Sequence, residues 1–167
     1  MMAFGTNDRP GRVGISVRDF ARFGLLYLHQ GNWNGNQLIS KKHAIMAVTQ
    51  PLPNSIPRAG LKAAQMIPGQ RSIGSDREPD NQSDHHGSYS WLWWINGVDR
   101  NEMRRWPDAP SDTFGAFGHG GPRSMWVMPG LDIVVSYNDA KLHDRSINMT
   151  NQAMKRLVAS VKSPGKL

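Results

Sequence analysis

Val17, Phe20, Gly24, Tyr27 and Leu28 recur three or four residues apart, the spacing that places side chains on one face of a helix. Ser16 stands at the N-cap position and Asp19 three residues on, the pair that closes a capping box, while Gly31 follows as a C-terminal stop. The pattern predicts a helix over 17–30. Asn34-Gly35 then marks a turn, and Ser40 caps a second predicted helix, KKHAIMAVTQ, that ends before Pro51. Residues 15–50 thus form a helical segment.

From 51 to 88 the pattern disappears. Pro51, Pro53, Pro57, Pro68 and Pro79 stand among Gly, Ser, Asp and Asn, and such a composition buries little surface, so the segment reads as a long polar loop within one domain. Order returns over 89–140. YSWLWWIN is aromatic and reads as a strand, on which alternation would put Trp91 and Trp93 on one side and Trp94 on the other. TFGAFGH follows, and RSMWVM and LDIVVSYN, separated by Pro129-Gly130, read as an antiparallel hairpin. Ile147, Met154, Leu157, Val158 and Val161 share a helical face and predict a C-terminal helix over 144–162. Strands grouped together rather than alternating with helices give an α+β fold, an antiparallel sheet with flanking helices, in a single domain over 1–167.

Composition narrows the function. The 167 residues are 38% hydrophobic, which supports a core, and no window approaches the roughly 18 apolar residues of a membrane span. MMAFGTNDRPGR lacks the basic-then-apolar pattern of an export signal, and the compartment is not legible. No cysteine is present, which excludes disulfides and thiolate chemistry. The net charge of +7 comes from scattered residues whose densest groups are pairs (Lys41-Lys42, Arg104-Arg105, Lys155-Arg156), unlike the stripe of a nucleic-acid footprint. His85-His86 have no spaced third ligand, so no metal site is expected, and nothing calls for a cofactor.

The densest chemistry is His119-Gly120-Gly121, just ahead of a strand. Paired glycines admit a ligand close to the backbone, and histidine can donate a hydrogen bond or titrate near neutral pH. Equally, a glycine-rich turn carrying a surface histidine has the same letters. Met125 and Met128 read as packing residues, and the tryptophans of 91–94 as core and cleft wall.

Three segments in order carry a resemblance: GISVRDFARFGLLYLHQGNWNGNQLIS (14–40), YSWLWWIN (89–96) and FGHGGPRSMWVMPGLDIVVSYND (117–139). Together they resemble the C-terminal portion of the class C β-lactamase-like branch of the serine β-lactamase and penicillin-binding-protein superfamily, which includes D-alanyl-D-alanine carboxypeptidases and esterases. The resemblance implies a partial β-lactamase/transpeptidase-like fold. It also implies acyl-enzyme hydrolysis of amide or ester substrates such as β-lactams or peptidoglycan peptides. His119 falls where that family has Lys-Thr-Gly and takes the catalytic role, with Gly120, Gly121, Pro122 and Trp94 on the substrate side.

The sequence departs from the family twice. Pro122 follows the motif, and proline has no N–H to give an oxyanion hole. The nucleophile motif Ser-x-x-Lys occurs only as Ser163-Pro-Gly-Lys166 in the tail, a poor start for a helix; Ser40-Lys41-Lys42-His43 fails at its last place, and Tyr137-Asn138 do not make Tyr-x-Asn. The chain therefore reads as the nucleophile-free part of such a hydrolase or, alternatively, as a non-catalytic binding module for peptidoglycan-like or acyl-peptide ligands. In the family, N-terminal elements complete the sheet. Their absence predicts a bare strand edge and an uncovered apolar face, and with them either a homo-oligomer or a missing N-terminal segment.

Overall fold

The computed structural model describes residues 3–4, 13–53, 55, 86–99, 101–118, 123–138, 140, 142 and 148–161. Most of the expected 51–88 loop lies outside them. The chain begins with a two-stranded ribbon, β1 (Ala3–Phe4) paired antiparallel with β2 (Val13–Gly14). Helix α1 (Val17–Leu28) follows. The Ser16 hydroxyl accepts from the Asp19 amide, capping the helix as expected, and donates to the Asp19 carboxylate in place of the backbone bond of a full capping box. At the other end the Gly31 amide, at φ 86°, bonds back to the Leu26 carbonyl. Asn34 and Gly35, at φ 49° and 85°, turn the short hairpin β3 (Asn32–Trp33) and β4 (Asn36–Gln37). Helix α2 (Lys41–Thr49) is capped by Ser40, which accepts from the His43 amide.

The centre is a five-stranded antiparallel sheet in the order β5 (Tyr89–Ser90), β6 (Trp93–Ile95), β7 (Phe114–Gly118), β8 (Arg123–Met128), β9 (Ile133–Asn138). Helix α3 (Asn148–Ser160) closes the described chain. The α+β class stands, with two local corrections. YSWLWWIN is a tight hairpin, not one strand. Trp91 and Leu92 take φ of 35° and 72° and turn the chain, so Tyr89 pairs with Trp94 and Ser90 with Trp93. Trp91 is a 55% exposed turn residue and does not share a strand face with Trp93. The β8–β9 connection is also longer than Pro129-Gly130: Pro129–Leu131 form a 3-10 turn and Asp132 adopts φ 55°, so β9 starts at Ile133.

Alternation along the strands divides the core in two. One face carries Trp93, Ile95, Phe114, Met125, Val127 and Val134, covered by Phe20, Tyr27 and Leu28 of α1 and Ala47 and Val48 of α2. The opposite face carries Trp94, Phe117, Trp126, Met128, Val135 and Tyr137, covered by Met154, Leu157 and Val158 of α3 and by Trp106 and Ala109. Where an uncovered apolar face was expected, the described residues put a packed hydrophobic cluster on each side of the sheet. The expected bare edge is found in part, since among the described residues no strand pairs with the outer side of β9. Among these residues no helix is long and apolar enough to cross a membrane.

One surface contact gives a pH prediction. Lys155 Nζ lies 3.2 Å from Asp108 Oδ1 and Asn151 Nδ2 donates to Oδ2 at 2.7 Å. Lys155 first, then Asn151, hold the Asp108 carboxyl below its ordinary range. A depressed carboxyl pKa stabilises the fold above the unfolded value, near 4, and that contribution is lost as pH falls through and below it. Thermal melts from pH ~5 to ~3 should therefore show a falling midpoint, with a shallower fall in Asp108→Asn. Parallel curves for the two proteins would refute the assignment.

Candidate functional site

Strands β7 and β8 pair from Phe114↔Val127 to Gly118↔Arg123. His119, Gly120, Gly121 and Pro122 join them in sequence and lie outside the described residues, so the site is built from its flanks. Ladder pairing between β6 and β7 stops early, with Trp94 opposite Gly115 and Ile95 opposite Phe114. Among the described residues no strand covers the same side of β7 from Ala116 to Gly118. The Phe117 carbonyl is met there by a side chain, the Trp94 indole N–H, at 3.3 Å.

A pocket of about 340 Å³ opens beside this stretch. Ile15, Val17 and Phe20 bring the start of α1 to it, and Leu92 brings the tip of the β5–β6 hairpin. Ala116 and Phe117 form its floor with Tyr137, and Arg123 and Asn138 supply its polar groups. Register explains the grouping: Arg123 faces Asn138 across β8–β9, and Ser124 faces Tyr137. Ile15, Val17 and Leu92 are 41%, 39% and 83% exposed, so the pocket has an apolar lip open to solvent. Burial pushes the Tyr137 phenol pKa up, opposed by the nearby Ser124 and Trp126 side chains. The phenol is therefore neutral at pH 7, and its ring packs against Trp126 on the sheet face opposite α1.

Trp94, expected on the substrate side, does not line this pocket. It packs on the opposite face of the sheet, edge-on to Tyr89 at 4.8 Å between ring centroids, and props β7 through Phe117. The Arg105 guanidinium lies 3.8 Å from the centre of the Trp94 ring. Neither Arg105 nor Asn96 was legible as a site residue. Arg105 is half of a basic pair that sequence reads only as charge, and its partner ring is eleven positions away.

Asn96 is fully buried. Its Nδ2 donates to the carbonyls of Trp106, Ala109 and Pro110 at 2.9, 3.2 and 2.9 Å, and its Oδ1 accepts from the Trp106 amide at 2.8 Å. One side chain thereby holds the segment that delivers Arg105 and Trp106 to the sheet. A second pocket, of about 490 Å³, lies at the far end of β7 by Phe114, Thr113 and Pro129, away from the His-Gly-Gly segment. Among the described residues no three His, Asp or Glu side chains cluster as a metal site would require.

No protein-family model matches the sequence, and no curated protein is significantly similar to it.

Proposed function

We propose that the chain forms one wall of the acyl-ligand cleft of a β-lactamase-like serine hydrolase. The observation that carries this reading is the edge of β7 from Ala116 to Gly118. It lacks a strand neighbour among the described residues, lies beside a 340 Å³ pocket, and runs directly into His119-Gly120-Gly121. An extended acyl-peptide can lie along such an edge and bond to the Phe117 amide, the Phe117 carbonyl staying with Trp94, with the pocket taking one of its side groups. His119 then supplies a hydrogen bond or positive charge at the reacting carbonyl, and Gly120 and Gly121 let the ligand backbone approach. Trp94 supports β7 from behind. In this reading the reaction is acyl transfer through a serine ester on an amide or ester, such as a β-lactam or a peptidoglycan peptide, and the serine and its lysine come from outside these 167 residues.

The chain by itself is expected not to turn over nitrocefin or p-nitrophenyl esters. Turnover that disappears in His119→Ala would overturn that statement.

Pro122 favours a second reading, a non-catalytic module that binds peptidoglycan-like or acyl-peptide ligands. Proline cannot donate the amide hydrogen bond that stabilises an oxyanion, and losing one such donor costs on the order of 3 kcal/mol in transition-state stabilisation. Calorimetric titration with muropeptides separates the cases. Binding without hydrolysis, even when a Ser-x-x-Lys-bearing segment is supplied, supports the module. Hydrolysis on that addition supports the enzyme.

A further inference from the structure

Arg105 is mostly buried, and burial pushes its pKa down to about 10. Among the described residues no carboxylate pairs with it, and its Nε is buried with no hydrogen-bond partner. The contacts that hold it are aromatic: the Trp94 ring at 3.8 Å from Cζ, and the Trp106 ring at 5.6 Å. Trp106 in turn packs on Phe117, with centroids 5.1 Å apart. A buried cation without a counter-charge is unfavourable, and ring faces offset only part of the lost hydration. The neighbouring Arg104 differs, since its Nη1 donates to the Asn96 carbonyl at 2.7 Å.

We propose that the terminal nitrogens of Arg105, with Trp94 as floor and Trp106 as wall, bind the carboxylate of an apolar organic acid. A guanidinium fork matches the two oxygens of a carboxylate, and stacking on Trp94 fixes its plane before the ligand arrives. Among the described residues the Arg104 guanidinium is held at the Asn96 carbonyl, and a single stacked guanidinium suits a monoanion better than a phosphate dianion. The tryptophan rings make the surroundings apolar, which strengthens the ion pair and favours an acid with a hydrocarbon body. The site is on the sheet face opposite the Ala116 pocket, and the inference does not depend on the hydrolase reading.

The test is an NMR titration of the full chain, following the Arg105 Nε–Hε resonance, assigned by its loss in Arg105→Lys. N-acetylphenylalanine is the carboxylate probe, its amide the neutral control, and inorganic phosphate the competing anion. A saturable shift with the acid and none with the amide is expected. Affinity, read from tryptophan fluorescence in parallel, should fall about tenfold in Arg105→Lys, which keeps the charge but loses the fork, and more in Arg105→Met. Circular dichroism of each variant checks that the fold persists. An equal response to acid and amide, no saturable response to the acid, or unchanged affinity in a folded Arg105→Met overturns the proposal. Tighter binding of phosphate than of the acid overturns the choice of carboxylate.

Discussion

Replacing Asn96 by alanine is expected to destabilise the fold by on the order of 4 kcal/mol. The substitution removes four hydrogen bonds at a position with no solvent exposure. It leaves the Trp106 amide and the Ala109 carbonyl facing an apolar hole, while the Trp106 and Pro110 carbonyls keep the Ala109 and Thr113 amides, and each buried group left unsatisfied costs roughly 1–3 kcal/mol before relaxation. Relaxation and entering water recover part of that sum. The loss is large against the roughly 5–15 kcal/mol that holds a typical domain. Asn96→Asp is the sharper variant, because it replaces the Nδ2 donor with an acceptor facing three carbonyls. Urea melts give the magnitude, and a midpoint unchanged in Asn96→Ala would refute the clamp. Because Asn96 holds Trp106 in place, the variant should also release Arg105 from its stacked position, visible as a shifted Nε–Hε resonance.

The second large effect is at Gly24, where α1 crosses the sheet. A Cβ built there runs into Met125 Sδ and comes within 2.7 Å of Val134 Cγ1. Met125 is fully buried and cannot swing into solvent, while Val134 is stiff at χ1. Two effects then oppose each other. Alanine gains about 1 kcal/mol of helix propensity over glycine, whereas overpacking a tight core typically costs 1–3 kcal/mol. Gly24→Ala should come out mildly destabilising. In Gly24→Leu the added volume has nowhere to go, and a loss of about 3 kcal/mol or more is expected, with α1 lifting from β8 and β9. Denaturant melts of both variants decide it, and a leucine variant as stable as the native chain would mean that α1 does not seat closely on the sheet.

Much of this architecture is written in local signals. Ser16 and Asp19, Gly31, Asn34-Gly35 and Ser40 each act within a few residues of themselves, and each forms the cap or turn that its chemistry predicts. The C-terminal helix is legible for the same reason: Met154, Leu157 and Val158 repeat at helical spacing and face the sheet. The β5–β6 hairpin is not legible, because its turn uses Trp91 and Leu92 at positive φ where Gly or Asn would have announced it. A bonus contact explains how the turn is tolerated. Ser90, nearly fully buried, donates to the Gln50 carbonyl at 2.8 Å and accepts from its amide at 3.2 Å, so the end of α2 fixes the hairpin from outside.

The site divides the same way. The His-Gly-Gly letters mark the position between β7 and β8, but the pocket beside them is assembled from α1, the β5–β6 tip and β9, which no spacing relates. The Trp94 indole holds the Phe117 carbonyl, a role fixed by register rather than by residue type. Arg105 and Asn96 escape the sequence for a further reason. Their importance comes from burial and from the partners they have or lack, which only tertiary packing determines.

The central claim is that the strand-free edge of β7 and its pocket form the ligand-binding surface. Amide NMR of the folded chain titrated with a D-alanyl-D-alanine peptide tests it most directly. The account predicts saturable shifts concentrated at Ala116, Phe117, Arg123 and Asn138, with the peptide left intact. Shifts confined to the opposite end of the sheet, around Thr113 and Pro129, or none at saturating peptide, would contradict it.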